Sequence, residues 1–180
     1  MAASDHDPIS HHSSPTEVEC LSAEALSGRM QEEISRAGRH GTPLACLLVT
    51  IGNLEELSRE HGGDLPERTL AYVGRALRSQ LRDFDRIGRP SDHELLVLLP
   101  GADGPRGEIV ARRVLDRLRT IKIEAAGERR PLRISVGLAA WREGLSVSDL
   151  LAETRAAARR GFAAEPASNA ISSPPALGRP

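Results

Sequence analysis

Between Arg86 and Pro100 the chain reads as two short apolar strands joined by a polar turn, and that turn carries Asp92, His93 and Glu94. An imidazole beside a carboxylate is a pair suited to acid–base catalysis. Adjacent strand residues point to opposite faces, however, so His93 and Glu94 would rarely meet one substrate, and a solvated turn pair is the reading their position favours. Three more histidines, His6, His11 and His12, could bind a metal, but they lie in a polar Ser/Pro segment without periodicity, where solvated side chains are the rule. The two cysteines, Cys20 and Cys46, make no disulfide framework, and Cys46 lies in an apolar run where a thiol behaves as a small hydrophobe.

The turn needs a scaffold, and the flanking sequence alternates between helical and strand patterns. Leu26, Met30, Ile34 and Ala37 recur at helical spacing until Gly38, Gly41 and Pro43 end the helix. Residues 44–51 form a continuous apolar run, the mark of a strand buried on both faces. Leu54 and Leu57 begin a short helix stopped by Gly62 and Gly63. Asp64-Leu65-Pro66-Glu67 spells a capping arrangement, and the helix it opens buries Leu70, Val73, Leu77 and Leu81. After the hairpin, Ile109, Val110, Val114 and Leu118 mark a helix, residues 132–138 alternate as a strand, and Val147, Leu150 and Leu151 lead an Ala-rich closing helix to Arg160. This order implies an α/β sandwich, an α+β arrangement of helices packed on a central, mostly antiparallel sheet. Residues 1–18 and 163–180 read as disordered tails around one domain at 19–162, without internal repeats.

Composition narrows the function classes. The chain has 180 residues, with 24 Lys+Arg against 25 Asp+Glu and a formal net charge of -1, which is no footprint of a nucleic-acid binder. Lys122 is the only lysine, which points to a GC-rich genome. Aromatic residues make up 2%, so Leu, Val, Ile and Ala must build the core. No basic segment followed by an apolar one opens the chain and no apolar stretch reaches membrane-spanning length; a cytoplasmic protein without a membrane partner is expected.

The landmarks together resemble the GGDEF (diguanylate cyclase) family from about Leu21 to Arg160. Where that family typically shows Arg-x-Gly-Gly-Asp-Glu-Phe, this chain has Arg89-Pro90-Ser91-Asp92-His93-Glu94-Leu95. Residues 43–49 resemble the family's first core strand; Gly62, Leu70, Val73, Leu77 and Arg78 its helix entry; Leu81-Arg82-Asp83-Phe84-Asp85 its approach to the hairpin; residues 96–100 and Ser135-Val136-Gly137-Leu138-Ala139 two later strands. Gly62-Gly63-Asp64-Leu65 spells part of the family name too, but it stands at a helix start, where backbone turning and capping explain it. The resemblance implies the palm-like fold of nucleotidyl cyclases.

It also implies which residues would act. Diguanylate cyclases join two GTP molecules with divalent metal bridging the phosphates, and a hard cation such as Mg²⁺ needs carboxylates. The family's first-strand Asp falls at Thr50, its next acid at Gly52 and its third at His93, an imidazole better suited to zinc or copper; Glu94 alone survives. The two motif glycines become Ser91 and Asp92. The guanine-reading Asn falls at Ser58, its acidic partner at Glu67, and the glycine before that acid at Pro66. The late Lys has no clear counterpart beyond Arg159 or Arg160, and the early Leu-Thr-Gly-Leu segment has become residues 21–27. No catalytic residues and no metal are therefore expected.

Many family members carry a second, inhibitory site for cyclic di-GMP, an Arg-x-x-Asp before the hairpin joined by an arginine from the following helix. Arg82, Asp85 and Arg113 (or Arg112) fall in that register. A guanidinium fork grips phosphate or a guanine edge, and a carboxylate accepts from guanine N–H groups. Arg113-Val114-Leu115-Asp116 repeats the spacing inside a helix, so an ordinary surface ion pair stands as the competing reading. The expectation is a catalytically inactive domain in bacterial cyclic di-GMP signalling, acting as a receptor, through a protein partner or as a homodimer. The alternative is a residual cyclase making cyclic di-GMP from two GTP with Mg²⁺.

Overall fold

In the computed structural model, which describes residues 20–125, 127–164 and 170–172, the chain runs β1 (Cys20–Leu21), α1 (Ala23–His40), β2 (Leu44–Ile51), α2 (Leu54–His61), α3 (Leu65–Arg78), β3 (Arg86–Ser91), β4 (Glu94–Pro100), α4 (Gly104–Leu118), β5 (Lys122–Ala125), β6 (Glu128–Pro131), β7 (Ile134–Ala140), α5 (Val147–Ala164) and β8 (Ala170–Ser172). Six strands make one sheet in the order β1-β3-β4-β2-β7-β8, and β5 pairs with β6 as a separate hairpin. The sheet is antiparallel across β3, β4, β2 and β7, and parallel where β1 and β8 join its two edges.

The apolar run of β2 lies at the centre because it has something to bury on both sides. Ala45, Leu47, Val49 and Ile51 face one layer, with Leu57, Val73, Leu77, Val114 and Leu118 of α2, α3 and α4. Leu44, Cys46 and Leu48 face the other, with Leu26 and Met30 of α1 and Leu150 and Ala158 of α5. The two-residue period of the strand thus divides the core into two apolar layers around the sheet, the expected α+β architecture. Cys46 is fully buried, and burial pushes its thiol pKa up to about 12.

Close contact fixes α5. A Cβ built on Gly137 of β7 would stand 2.3 Å from the Thr154 carbonyl oxygen and 2.4 Å from the Ala158 nitrogen, so only glycine lets the helix rest there. Ser135 Oγ donates to the Ala158 carbonyl beside it. Between α2 and α3, Gly62 and Gly63 take φ of 61° and 66°, the left-handed turn expected of this pair.

Several expectations need correction. Asp64 precedes α3 but its side chain caps nothing, since its backbone (φ −89°, ψ 10°) is not the extended conformation of a capping residue. Ile109, one of the residues that mark α4, lies on the helix's outer side, 66% exposed. Strands β1, β5, β6 and β8 were not foreseen, because two to four residues carry too little pattern to register. β8 lies within the expected 163–180 tail: Ala170–Ser172 adds parallel to the free edge of β7. The expected tail at 1–18, with His6, His11 and His12, lies outside the described residues, as do 165–169 and 173–180. Among the described residues no helix is long and apolar enough to cross a membrane.

Candidate functional site

The end of β2 gathers the four positions singled out for metal chemistry. Thr50 pairs with Glu94 of β4 on one side and with Ser135 of β7 on the other, so two hydroxyls and a carboxylate form a row under α5. The amide of Ile51 donates to the His93 carbonyl (3.2 Å), and Gly52, next along, donates to the Arg133 carbonyl (2.8 Å). The backbone therefore brings Thr50, Gly52, His93 and Glu94 together. The side chains make poor partners for one another: Gly52 has none, and His93 stands exposed in the turn.

Glu94 is not the solvated turn residue the sequence suggested. It is 8% exposed, and Arg155 of α5 reaches it with Nη2 at 2.7 Å and Nε at 3.2 and 3.3 Å from its two oxygens. Ser91 Oγ donates to the same carboxylate at 2.9 Å. A buried carboxylate needs a counter-charge, and here the guanidinium supplies it. Magnesium takes octahedral oxygen ligands, normally including carboxylates, and this corner offers hydroxyls, one exposed imidazole and a single carboxylate already engaged. That donor set does not fit the ion. Arg155 was missed in the sequence because an arginine between a threonine and alanines carries no periodic signal; Arg159 and Arg160, considered there, follow one turn later.

The positions matched to guanine recognition lie on α2 and α3, the helices that follow β2. Ser58 lies on α2, half-buried, and Glu67 in the first turn of α3. Glu67 is engaged too: Arg89 of β3 donates to both its oxygens, at 2.7 and 2.8 Å. The Arg89 hydrogen bond holds the Glu67 carboxyl below its usual pKa, against a small opposing effect of burial. Asp92 adds a longer contact to Arg89 at 3.5 Å.

On the other side of the hairpin approach, Arg82, Asp85 and Arg113 line one small cleft of about 120 Å³ with Pro100, Arg106 and Ile109. Asp85 is its anchor. It is 4% exposed, and its Oδ2 accepts the Arg82 backbone N–H at 2.8 Å. Arg78 braces the turn from below, donating to the carbonyls of Asp85 (2.9 Å) and Arg82. Burial pushes the Asp85 carboxyl above its usual pKa, outweighing that backbone hydrogen bond and the nearby charges of Arg82, Arg78 and Arg113. The Arg82 guanidinium lies 5.7 Å over the exposed ring of Phe84, and Arg113 donates to the Gln80 carbonyl. Arg112 points elsewhere and pairs with Glu108 at 3.2 Å, so of the two candidates Arg113 is the one in the cleft. Arg106, unforeseen, shares a helix face with Arg113 through their seven-residue spacing, a signal the sequence did contain.

Comparison with known proteins gives a consistent likeness. A family model described as "Diguanylate cyclase, GGDEF domain" matches residues 22–162. The diguanylate cyclase DosC of Escherichia coli (strain K12) is 27% identical over 136 residues, 74% of this chain and 30% of that protein. The chain thus spans less than a third of that curated relative. The diguanylate cyclase SiaD of Pseudomonas aeruginosa, solved with its activator SiaC, superposes with a TM-score of 0.76 at 27% identity, covering 84% of this chain and 58% of that one. The GGDEF domain of DgcB from Caulobacter crescentus, solved with c-di-GMP, gives a TM-score of 0.79 over 93% of this chain and 98% of that one; at 12% identity it speaks for the fold alone.

Proposed function

The chain belongs to the GGDEF family of diguanylate cyclase domains, and on that premise we propose that it makes no cyclic di-GMP but binds it, as a regulatory domain in cyclic di-GMP signalling. The observation that carries this reading is the contrast between two charge arrangements. At the strand end the one remaining carboxylate, Glu94, is neutralised from within by Arg155. In the cleft, Arg82, Arg106 and Arg113 line the walls with the single carboxylate of Asp85, and among the described residues none of the three guanidiniums forms an ion pair with a carboxylate. The first arrangement leaves nothing to hold the metal that GTP condensation needs. The second leaves a positive surface with one acceptor, which suits a phosphodiester beside a guanine edge. The cleft is too small to enclose a nucleotide, so the ligand would lie across it.

In this reading Arg82 and Arg113 grip phosphate or the guanine edge, and Asp85 accepts from guanine N–H groups. Binding would act on a protein partner or a second copy of the chain by favouring whichever state holds the ligand better. Calorimetric titration with cyclic di-GMP tests it: saturable heat is expected for the wild type and none for Arg82→Ala, while Asp64→Ala, outside the cleft, should bind as the wild type. No heat up to high micromolar ligand would remove the receptor.

A further inference from the structure

We propose that Arg106 is a ligand-binding residue of this cleft and that, with Arg113, it makes the cleft select a ligand carrying two separated phosphates over one carrying a single phosphate. The proposal rests on the cyclic di-GMP reading and extends it to a residue and a selectivity. Arg106 and Arg113 are seven residues apart on α4, two helical turns, and therefore lie on one face about 10 Å apart along the axis. Both line the cleft, and between them stand Val110 and Ile109, the latter 66% exposed. The face presents a cation, an apolar step and a second cation.

Arg106 is held at its root and uncommitted at its head. Its backbone N–H donates to Asp103 Oδ1 at 2.9 Å, which fixes the first turn of α4. Its guanidinium makes one long contact, 3.4 Å to the Gly101 carbonyl. A guanidinium with that little to hold, facing a cleft with one carboxylate for three arginines, is arranged for an anion from outside. A cyclic dinucleotide carries its two phosphodiesters on opposite sides of the sugar–phosphate ring, with a flat base projecting from each ribose, and can meet both cations while covering Ile109. A mononucleotide carries its charge on one chain and can satisfy only one end.

The test is calorimetry on the full chain with cyclic di-GMP and with GMP, for wild type, Arg82→Ala and Arg106→Ala, →Lys and →Glu. Arg106→Ala should weaken cyclic di-GMP binding by about 10- to 100-fold, the range for one charged hydrogen-bonding group. Arg106→Glu should weaken it further and Arg106→Lys less, with melting temperatures unchanged, an ordering that a merely structural role would not produce. Its effect on GMP should be smaller than on the cyclic ligand. If all three Arg106 variants bind like the wild type while Arg82→Ala loses binding, the role of Arg106 falls and the receptor stands. Equal weakening of both ligands overturns the selectivity, and absence of binding by the wild type overturns both proposals.

Discussion

Arg155 stands at the strand end as a fixed cation, and the consequence can be measured. Removing one partner of a buried ion pair leaves the other charge without solvent or counter-charge, a larger loss than the pair itself contributes. The Arg155 side chain is about one-third exposed, which tempers the effect, so Arg155→Ala should cost about 2 kcal/mol in urea denaturation. Replacing Glu94 by Gln in the same background should recover part of it; no recovery would mean that the pair is not what the variant disturbs. Asp85 offers a second test. Its ionised form is the costly one in the fold, so its contribution to stability rises as pH falls through its raised native pKa toward its unfolded value. Glu67 runs the other way: held low by Arg89, it contributes stability above its unfolded pKa and loses it as pH falls through the native one. If Asp85 accepts from the ligand, affinity for cyclic di-GMP should weaken on acidification at a higher pH than an ordinary aspartate would give. Asp85→Asn should flatten that dependence, and identical pH profiles for the two proteins would rule out this role.

The elements are positioned by a few close approaches. Gly137→Ala would drive a methyl into the α5 backbone, so the helix must lift; the expected loss is about 3 kcal/mol by urea denaturation, at the upper end for overpacking. An alanine variant as stable as the wild type would show that α5 does not bear on β7 as described. Such contacts mark the limit of what could be read from the chain alone. The long patterned elements were legible: β2 because eight apolar residues need two layers to cover them, and α1, α3 and α5 because their apolar residues recur at helical spacing. β1 and β8 were not, since their pairing depends on a neighbouring strand edge that only the folded sheet supplies. The exposure of Ile109 could not be read for a similar reason: helical spacing marks an apolar face without saying whether anything covers it. At the candidate sites the sequence named the residues that gather at the end of β2 and around the cleft, but not Arg155, whose meaning comes from Glu94 opposite it across the fold, nor Arg106, whose spacing from Arg113 was there to read.

As a whole, the chain presents a cyclase scaffold with two regions of opposite character, a strand-end corner closed by its own ion pair and a cleft with cations to spare. Sheet and helices keep the family's arrangement because the apolar layers that specify it do not depend on the residues at the strand end or in the cleft. The match covers 30% of the length of DosC. The reading depends most on the corner being unable to hold a magnesium ion. Incubating the purified chain with GTP and Mg²⁺ or Mn²⁺ and separating the nucleotides by chromatography tests this directly. The prediction is GTP recovered intact at the level of a protein-free control; cyclic di-GMP accumulating with time and protein concentration would contradict it.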